Sequence, residues 1–598
     1  MCKELKERKD IDQAFKWDLS SMYENEGLWQ ADIDKSIKLS EEFSRLSGRI
    51  LDSSESLKKA LLLRDEMWQI IEKAFVFSRM KRDEDNTLET SQAICDKAGQ
   101  AIAKISAASS FFIPEILKGK EEDIMTVIEE DAELAPYKFA IENIFREKEH
   151  VLSSAEENIM AQMSELNSAT NNIFTLLNNA DLTFDPVTDK EEKTHALSHG
   201  SYINLLSSRD RTLRKNAYKS MYIEYKKLIN TIATAYSYNT KTDVVTSRIR
   251  KFKNSRASAL FADNIEDEVY DNLVSVVNKN LPLLHKYMEL RRKILKLNKL
   301  AMYDVYVPLF DIQKKDISFD EAKDIMIKGL APLGDAYLSP MKKGLDAGWI
   351  DIYENKGKTS GAYSFGSYDS KPFILLNYTN TLKDVFTLVH EMGHSMHSYF
   401  TRKTQPYIYG DHSIFTAEIA STVNEKLLIK HLISQEKDDS LMKQYLINYH
   451  LEEFRTTLFR QTMFAEFEDM SHRALEQGES LTPDFLCCEY DKLNRKYFGE
   501  NIDYDEYIKY EWARIPHFYN AFYVYKYATG YSAASAIAKI ILEKGSDDYL
   551  NFLKTGSSNH PIELIKIAGV DMSKPKPIED AMSEFSMLVD ELERLVEV

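Results

Sequence analysis

The chain has few places to turn. Its 598 residues include only 20 glycines and 14 prolines, about half the usual density. Sandwiches and barrels need a turn rich in such residues every 8 to 12 positions or so, and that punctuation is missing. Helices remain, so the expected fold class is mainly α. Apolar residues recur at helical spacing, first Ile33 and Ile37, then Phe43, Leu46 and Ile50. Later Leu213, Ala217, Met221, Leu228 and Ile232 fall on one stripe of what reads as a single long helix. The polar faces of the first third are laced with Lys and Glu and read as solvated surface.

Charge narrows the partners. With 77 Lys and Arg against 95 Asp and Glu, the net charge is −18. Nothing here resembles the cationic footprint that phosphate backbones demand, so no nucleic acid is expected. Hydrophobic residues at 43% and aromatics at 11% are those of a folded chain. The four cysteines, Cys2, Cys95, Cys487 and Cys488, form no C-x-x-C pair, which fits a reducing compartment, and the adjacent Cys487 and Cys488 read as small buried apolar side chains. The N-terminal residues lack the apolar core of a secretory signal, and no run of about 18 apolar residues occurs. The expected location is cytoplasmic, with no membrane partner.

The stretch from Ala180 to Gly200, with Asp185-Pro186 and a run of charges, interrupts the helical pattern. It divides an N-terminal helical region, 1–195, from the remainder, 196–598. Within the second part, Gly357, Gly361 and Gly366 precede the apolar run Phe373 to Tyr378, which reads as a strand. That strand is either core or an exposed edge to which a peptide adds through backbone hydrogen bonds. Thr381 to Asp384 then fits a capping box that opens a helix.

That helix carries His390-Glu391-Met392-Gly393-His394, an H-E-x-x-H motif expected by chance about 0.02 times in a chain of this composition. At 3.6 residues per turn the two histidines point from one face and can share a zinc ion, with Glu391 beside them as base for a metal-activated water. Catalytic zinc usually has three protein ligands. His397 on the same helix is one candidate for the third. The other is a carboxylate from the following helix, where Glu418 and Glu425 share a face, so that one can bind metal while the other orients a ligand histidine.

Together, Gly361-Ala362-Tyr363-Ser364, the strand ending in Asn377-Tyr378, the run from His390 to His397, and Glu418 to Glu425 resemble oligoendopeptidase F, of the thimet-oligopeptidase-like group of zinc peptidases. The resemblance also covers Arg514 to Tyr519 and Phe522 to Tyr527, and extends more weakly over most of the chain. It implies a two-lobed helical metallopeptidase, with a small β-sheet next to the zinc helix and a deep substrate channel that admits short, unstructured peptides. It makes 196–598 the catalytic domain. It also implies one Zn2+ per chain bound by His390, His394 and Glu418, with Glu391 as general base and acid. Glu425 and His397 would support the ligands. Gly361, Ala362, Tyr363, Tyr519 and Tyr523 would line the substrate side, and the edge-strand reading of Phe373 to Tyr378 is favoured.

Attack of a metal-activated water on a peptide carbonyl creates an oxyanion, which a Tyr hydroxyl or His N–H stabilises further. His517 and Tyr525 are the preferred donors, although each tyrosine of the segment also reads as a packing aromatic. Helix geometry favours Glu418 over His397 as third ligand. His390 and His397 stand about 10.5 Å apart along the axis, against about 6 Å for His390 and His394, too far to converge on one ion from a straight helix.

The expected activity is therefore zinc-dependent hydrolysis of internal bonds in short peptides. Two alternatives remain at this stage. One is a metal-dependent exopeptidase of dipeptidase or carboxypeptidase type, for which no terminal anchor is evident. The other is a catalytically silent helical peptide-binding protein, against which the intact Glu391 speaks.

Overall fold

The computed structural model describes residues 5–312 and 316–596 and is mainly helical, with three small sheets. The fold class is as expected. Among the described residues no helix is long and apolar enough to cross a membrane. Cys2 lies outside the described residues. Cys95 and Cys487 are buried, but Cys488 is exposed, because successive residues of a helix point about 100° apart and only one of the pair faces the core.

The chain forms two compact units that alternate along the sequence. The first gathers Met1–Lys148, Lys314–His431 and Ile537–Val570, and the second Glu149–Gln313, Leu432–Ala536 and Asp571–Val598.

The first unit begins with three helices, α1 (Glu26–Ser44), α2 (Ser54–Glu84) and α3 (Glu89–Ser109). The Asn25 and Ser53 side chains accept from backbone N–H groups of the first turns of α1 and α2, satisfying donors that have no partner inside the helix. Ile33 and Phe43 of α1 lie in the core with Leu61, Ile71 and Phe77 of α2 and Ile105 of α3. Because α1 ends at Ser44, Ile50 joins this core from the turns that follow.

A three-stranded sheet packs on the same core. It comprises β1 (Ile350–Asp351), β2 (Tyr363–Phe365) and β3 (Phe373–Leu375), in the order β1-β3-β2. β3 pairs parallel with β1 (Ile374 opposite Ile350) and antiparallel with β2 (Ile374 opposite Ser364). This corrects the sequence expectation for Phe373 to Tyr378. β3 is the central strand, all three of its residues are 0% exposed, and it has no free edge. An uninterrupted apolar run is what a strand covered on both faces requires, so the pattern signalled burial rather than an edge. The outer side of β1 is closed by the N-terminal segment, with Ile352 N–H donating to Phe15 C=O (3.0 Å) and Arg8 paired to the buried Asp351. β2 has no strand on its outer side among the described residues.

Helix α4 (Leu382–Thr404) follows the sheet and starts with the capping box read from the sequence. Asp384 N–H donates to Thr381 Oγ1 (3.3 Å), and Thr381 N–H donates to the Asp384 carboxylate (2.9 Å). α5 (Ile414–Gln435) crosses it at unusually short range. A Cβ built on Gly393 would stand 2.5 Å from Ser421 Cα and 2.8 Å from Ala420 O, so only glycine lets the two backbones meet. Asn424 of α5, fully buried, ties the helices further by donating to the Val389 carbonyl (3.3 Å).

In the second unit the expected break at 180–200 is a short hairpin, Val187–Thr188 against Thr194–His195. The single long helix expected after it is two helices, Arg211–Lys227 and Ile229–Ile249. The break falls at Leu228 (φ −105°, ψ 8°), where neither Gly nor Pro marks it. Leu213, Ala217, Met221 and Ile232 are buried all the same. The unit also contains α6 (Arg460–Glu476) and the start of α7 (Tyr525–Lys544).

Gly393→Ala should force α4 and α5 apart. The metal-free protein is expected to lose about 1–3 kcal/mol of stability in denaturant titrations, the range for overpacked cores, and to bind metal far more weakly. A variant with unchanged stability and metal affinity would show that the close approach is not required.

Candidate metal centre

His390 and His394 project one turn apart from α4. Their Nε2 atoms are 3.2 Å apart, and two ligands about 2.0–2.1 Å from one tetrahedral ion stand roughly 3.3 Å apart. Glu418 arrives from the first turns of α5, its carboxylate 3.7 Å from His390 Nε2 and 3.9 Å from His394 Nε2. One ligand atom from each of these three residues lies within 4.8 Å of the others, and they form the one such group among the described residues. The donors fit a divalent metal ion.

The outer nitrogens of the rings are also held. Glu425, two turns along α5, accepts from His390 Nδ1 at 3.1 Å, which turns Nε2 toward the centre. The His394 ring bonds the backbone of Ala417. Burial opposes a charge on His390, but the carboxylates of Glu425, Glu391 and Glu418 outweigh it and lift its pKa to about 9. Burial together with the neighbouring His390 pushes His394 down to about 3. Burial raises Glu418 as well.

Glu391 is 8% exposed and lies against the sheet, where it accepts from the Ser364 backbone N–H. Burial, set against the attraction of His390, brings its pKa to about 7, in the range a general base or acid needs near neutrality. Ser364 also bonds α4 through its hydroxyl, 2.8 Å from Ser395 Oγ. The unpaired outer side of β2 therefore runs beside Glu391.

His397 packs beside the centre. It is 1% exposed, its ring stacks on His412 with centroids 4.1 Å apart, and Phe552 lies 5.5 Å away. Neither ring nitrogen has a hydrogen-bond partner among the described residues.

Of the residues expected on the substrate side, Gly361 is exposed in a left-handed conformation (φ +85°) just before β2, with its carbonyl bonded by Asn377 Nδ2 (2.8 Å). Ala362 follows it. Tyr363 donates its hydroxyl to Asp83 (2.9 Å), and its backbone belongs to β2. His517, Tyr519, Tyr523 and Tyr525 belong to the second unit. There His517 and Tyr523 stack with ring centres 6.4 Å apart, the histidine exposed and the tyrosine partly so. Tyr525 is 1% exposed, its ring against Tyr270 at 5.2 Å, and Tyr519 stacks on Phe174 at 4.5 Å. Sequence reasoning assigned no role to Ser364, His412 or Asn424. It also passed over Gly393, whose signal was present, since glycine inside a helix is unfavourable by about 1 kcal/mol and calls for a packing reason.

Comparison with known proteins gives the family. Residues 204–584 match the family described as Peptidase family M3, and residues 115–184 match that described as Oligopeptidase F. The chain belongs to peptidase family M3. Oligopeptidase PepF of Bacillus subtilis is 44% identical over 596 residues, covering 99% of this chain and 89% of that protein. Group B oligopeptidase PepB of Streptococcus agalactiae is 42% identical over 594 residues, 98% of each. The crystal structure of oligoendopeptidase-F from Enterococcus faecium superposes with a TM-score of 0.73 at 36% identity, over 96% of this chain and 98% of that one. This M3 peptidase is a metallo-oligopeptidase, and the endopeptidase expectation stands with it.

Metal binding by the metal-free enzyme should weaken as pH falls. His390 carries a proton below about pH 9 that must leave before its Nε2 can bind, whereas His394 is already neutral above about pH 3. The association constant for Zn2+ is expected to fall about tenfold per unit from pH 8.5 to 7.5. It should fall more steeply below pH 7, where protonated Glu391 also loses its proton to the incoming charge. Competition titrations with a chromogenic chelator measure this, and a pH-independent constant would contradict it.

Proposed function

We propose that the chain is a zinc endopeptidase that cleaves internal bonds of short, extended peptides at the centre formed by His390, His394 and Glu418. What carries the reading is the convergence of these three groups beside Glu391, a buried carboxyl held by the Ser364 N–H. Zinc bound there supplies Lewis acidity toward a water and toward the scissile carbonyl. Glu391 takes a proton from the attacking water and delivers it to the leaving amine. Glu425 keeps the proton of His390 on Nδ1 and thereby keeps Nε2 a ligand.

The outer side of β2, beside Ser364 and Glu391, takes the backbone of an extended substrate as an added strand, a mode that tolerates many side chains. This transfers the edge role from Phe373 to Tyr378 onto the Gly361-Ala362-Tyr363 segment that leads into β2. The family resemblance supports His517 and a tyrosine as donors to the substrate oxyanion. The exposure of Tyr523 and the burial of Tyr525 favour Tyr523 as that tyrosine.

Three sets of measurements test the reading. Glu391→Gln should retain one zinc per chain and lose nearly all turnover, whereas Glu418→Ala should lose the metal on dialysis and His397→Ala should keep it. The wild-type enzyme should cleave peptides blocked at both ends, which an exopeptidase cannot do. Tyr523→Phe should lower kcat by about 10²–10³ with little change in KM, and Tyr525→Phe by much less. Equal turnover in Glu391→Gln and wild type, or inactivity on blocked peptides, would overturn the proposal.

A further inference from the structure

The turn that precedes α7 contains one residue with an unusual backbone. Phe522 has φ +52°, a left-handed conformation that residues with a Cβ rarely adopt. It lies between the Pro516–Tyr519 turn, which carries His517, and the start of α7. Its ring is buried, 5.9 Å from Tyr270 and 4.6 Å from His472. Burying a phenyl ring does not by itself require that backbone.

Glu468 on α6 does. Its Oε1 accepts from the Phe522 N–H at 2.6 Å. The side chain is 0% exposed, and Oε2 has no partner among the described residues. A buried carboxyl with a single hydrogen bond is unfavourable wherever an apolar residue would pack, and the backbone of this turn is what it holds. Burial pushes the carboxyl up to about 8, against the pull of His472 and of the Phe522 N–H toward the charged form. His472 is fixed in its turn, with Nδ1 donating to the Glu468 carbonyl (2.8 Å) and Nε2 3.4 Å from the Asp243 carboxylate.

The ends of the segment are anchored independently. Lys526 pairs with Asp263 at 2.6 Å, Tyr525 packs on Tyr270, and Asn520 N–H closes the Pro516–Tyr519 turn on the His517 carbonyl (2.9 Å). A relaxation of Phe522 would fall on residues 520–524, which set how Tyr523 lies against His517.

We propose that Glu468 is a positioning residue of the peptidase: by holding the Phe522 N–H it keeps the turn left-handed and so presents His517 and Tyr523 to substrate in one orientation. The inference rests on the reading of those two residues as substrate-side donors.

The test uses the full-length, zinc-loaded enzyme and an internally quenched peptide. Glu468→Leu fills the site but offers no acceptor, and Glu468→Ala serves if the leucine variant does not fold. kcat should fall about 10- to 100-fold, with KM within about threefold and bound zinc unchanged, as expected for displaced catalytic groups. Glu468→Gln, whose amide oxygen still accepts the N–H, should return to within about threefold of wild type. In a His517→Ala/Tyr523→Phe background, Glu468→Leu should lower kcat by less than about twofold further, since it acts through those residues. Unchanged kcat in Glu468→Leu, equal losses in the Leu and Gln variants, or the full loss repeated in the double-variant background would each overturn the proposal. His517→Ala and Tyr523→Phe alone report on the donor reading: if both keep wild-type kcat, that reading fails and the role of Glu468 falls with it. If they lose activity while Glu468→Leu does not, only the positioning role is lost.

Discussion

The metal centre depends on how closely two helices can approach. The H-E-x-x-H motif offers two candidate ligands from α4 and cannot offer the third, because one straight helix does not converge on a point. The third must come from another backbone, and Glu has a short reach. α5 therefore has to cross α4 in backbone contact, which the missing side chain of Gly393 permits over Ser421 and Ala420. Asn424 then joins the helices by a buried hydrogen bond to the Val389 carbonyl, just before His390. Without this crossing the motif would be two histidines on a buried helix.

Placing so many ionisable groups together out of water sets their chemistry. Glu391, Glu418 and Glu425 crowd around His390, and burial disfavours the charges of Glu391, Glu418 and His390. The result divides the roles. His390 is held toward the charged form in the metal-free protein, His394 is held neutral, and Glu391 comes to rest near neutrality. The sheet contributes through its edge, since the Ser364 N–H on the Glu391 carboxylate fixes that carboxylate relative to β2.

Where the sequence reading failed, its signal was local and the outcome was not. The apolar run from Phe373 identified a strand correctly but not its position in the sheet, because central and edge strands differ in which neighbours arrive, and β1 and β2 come from separate segments. The stripe from Leu213 to Ile232 identified the buried face yet hid the break at Leu228, since a one-residue change of backbone direction needs no special residue. His412 escaped notice because an isolated histidine carries no pattern. Only its stacking on His397 gives it a place.

The sequence by itself determined that the chain is helical, where the helix carrying H-E-x-x-H begins, and which residues are candidates to hold a metal, because helix breakers, capping boxes and the H-E-x-x-H spacing act within a few residues of each other. Tertiary structure alone decided that His397 stacks on His412, that the Gly393 crossing brings Glu418 up to the two histidines, that β2 rather than β3 has no strand on its outer side among the described residues, and that Tyr525 is buried where Tyr523 is only partly so. Those outcomes turn on contacts between segments far apart in the chain, and no local pattern encodes which of several chemically suitable residues a distant backbone will reach.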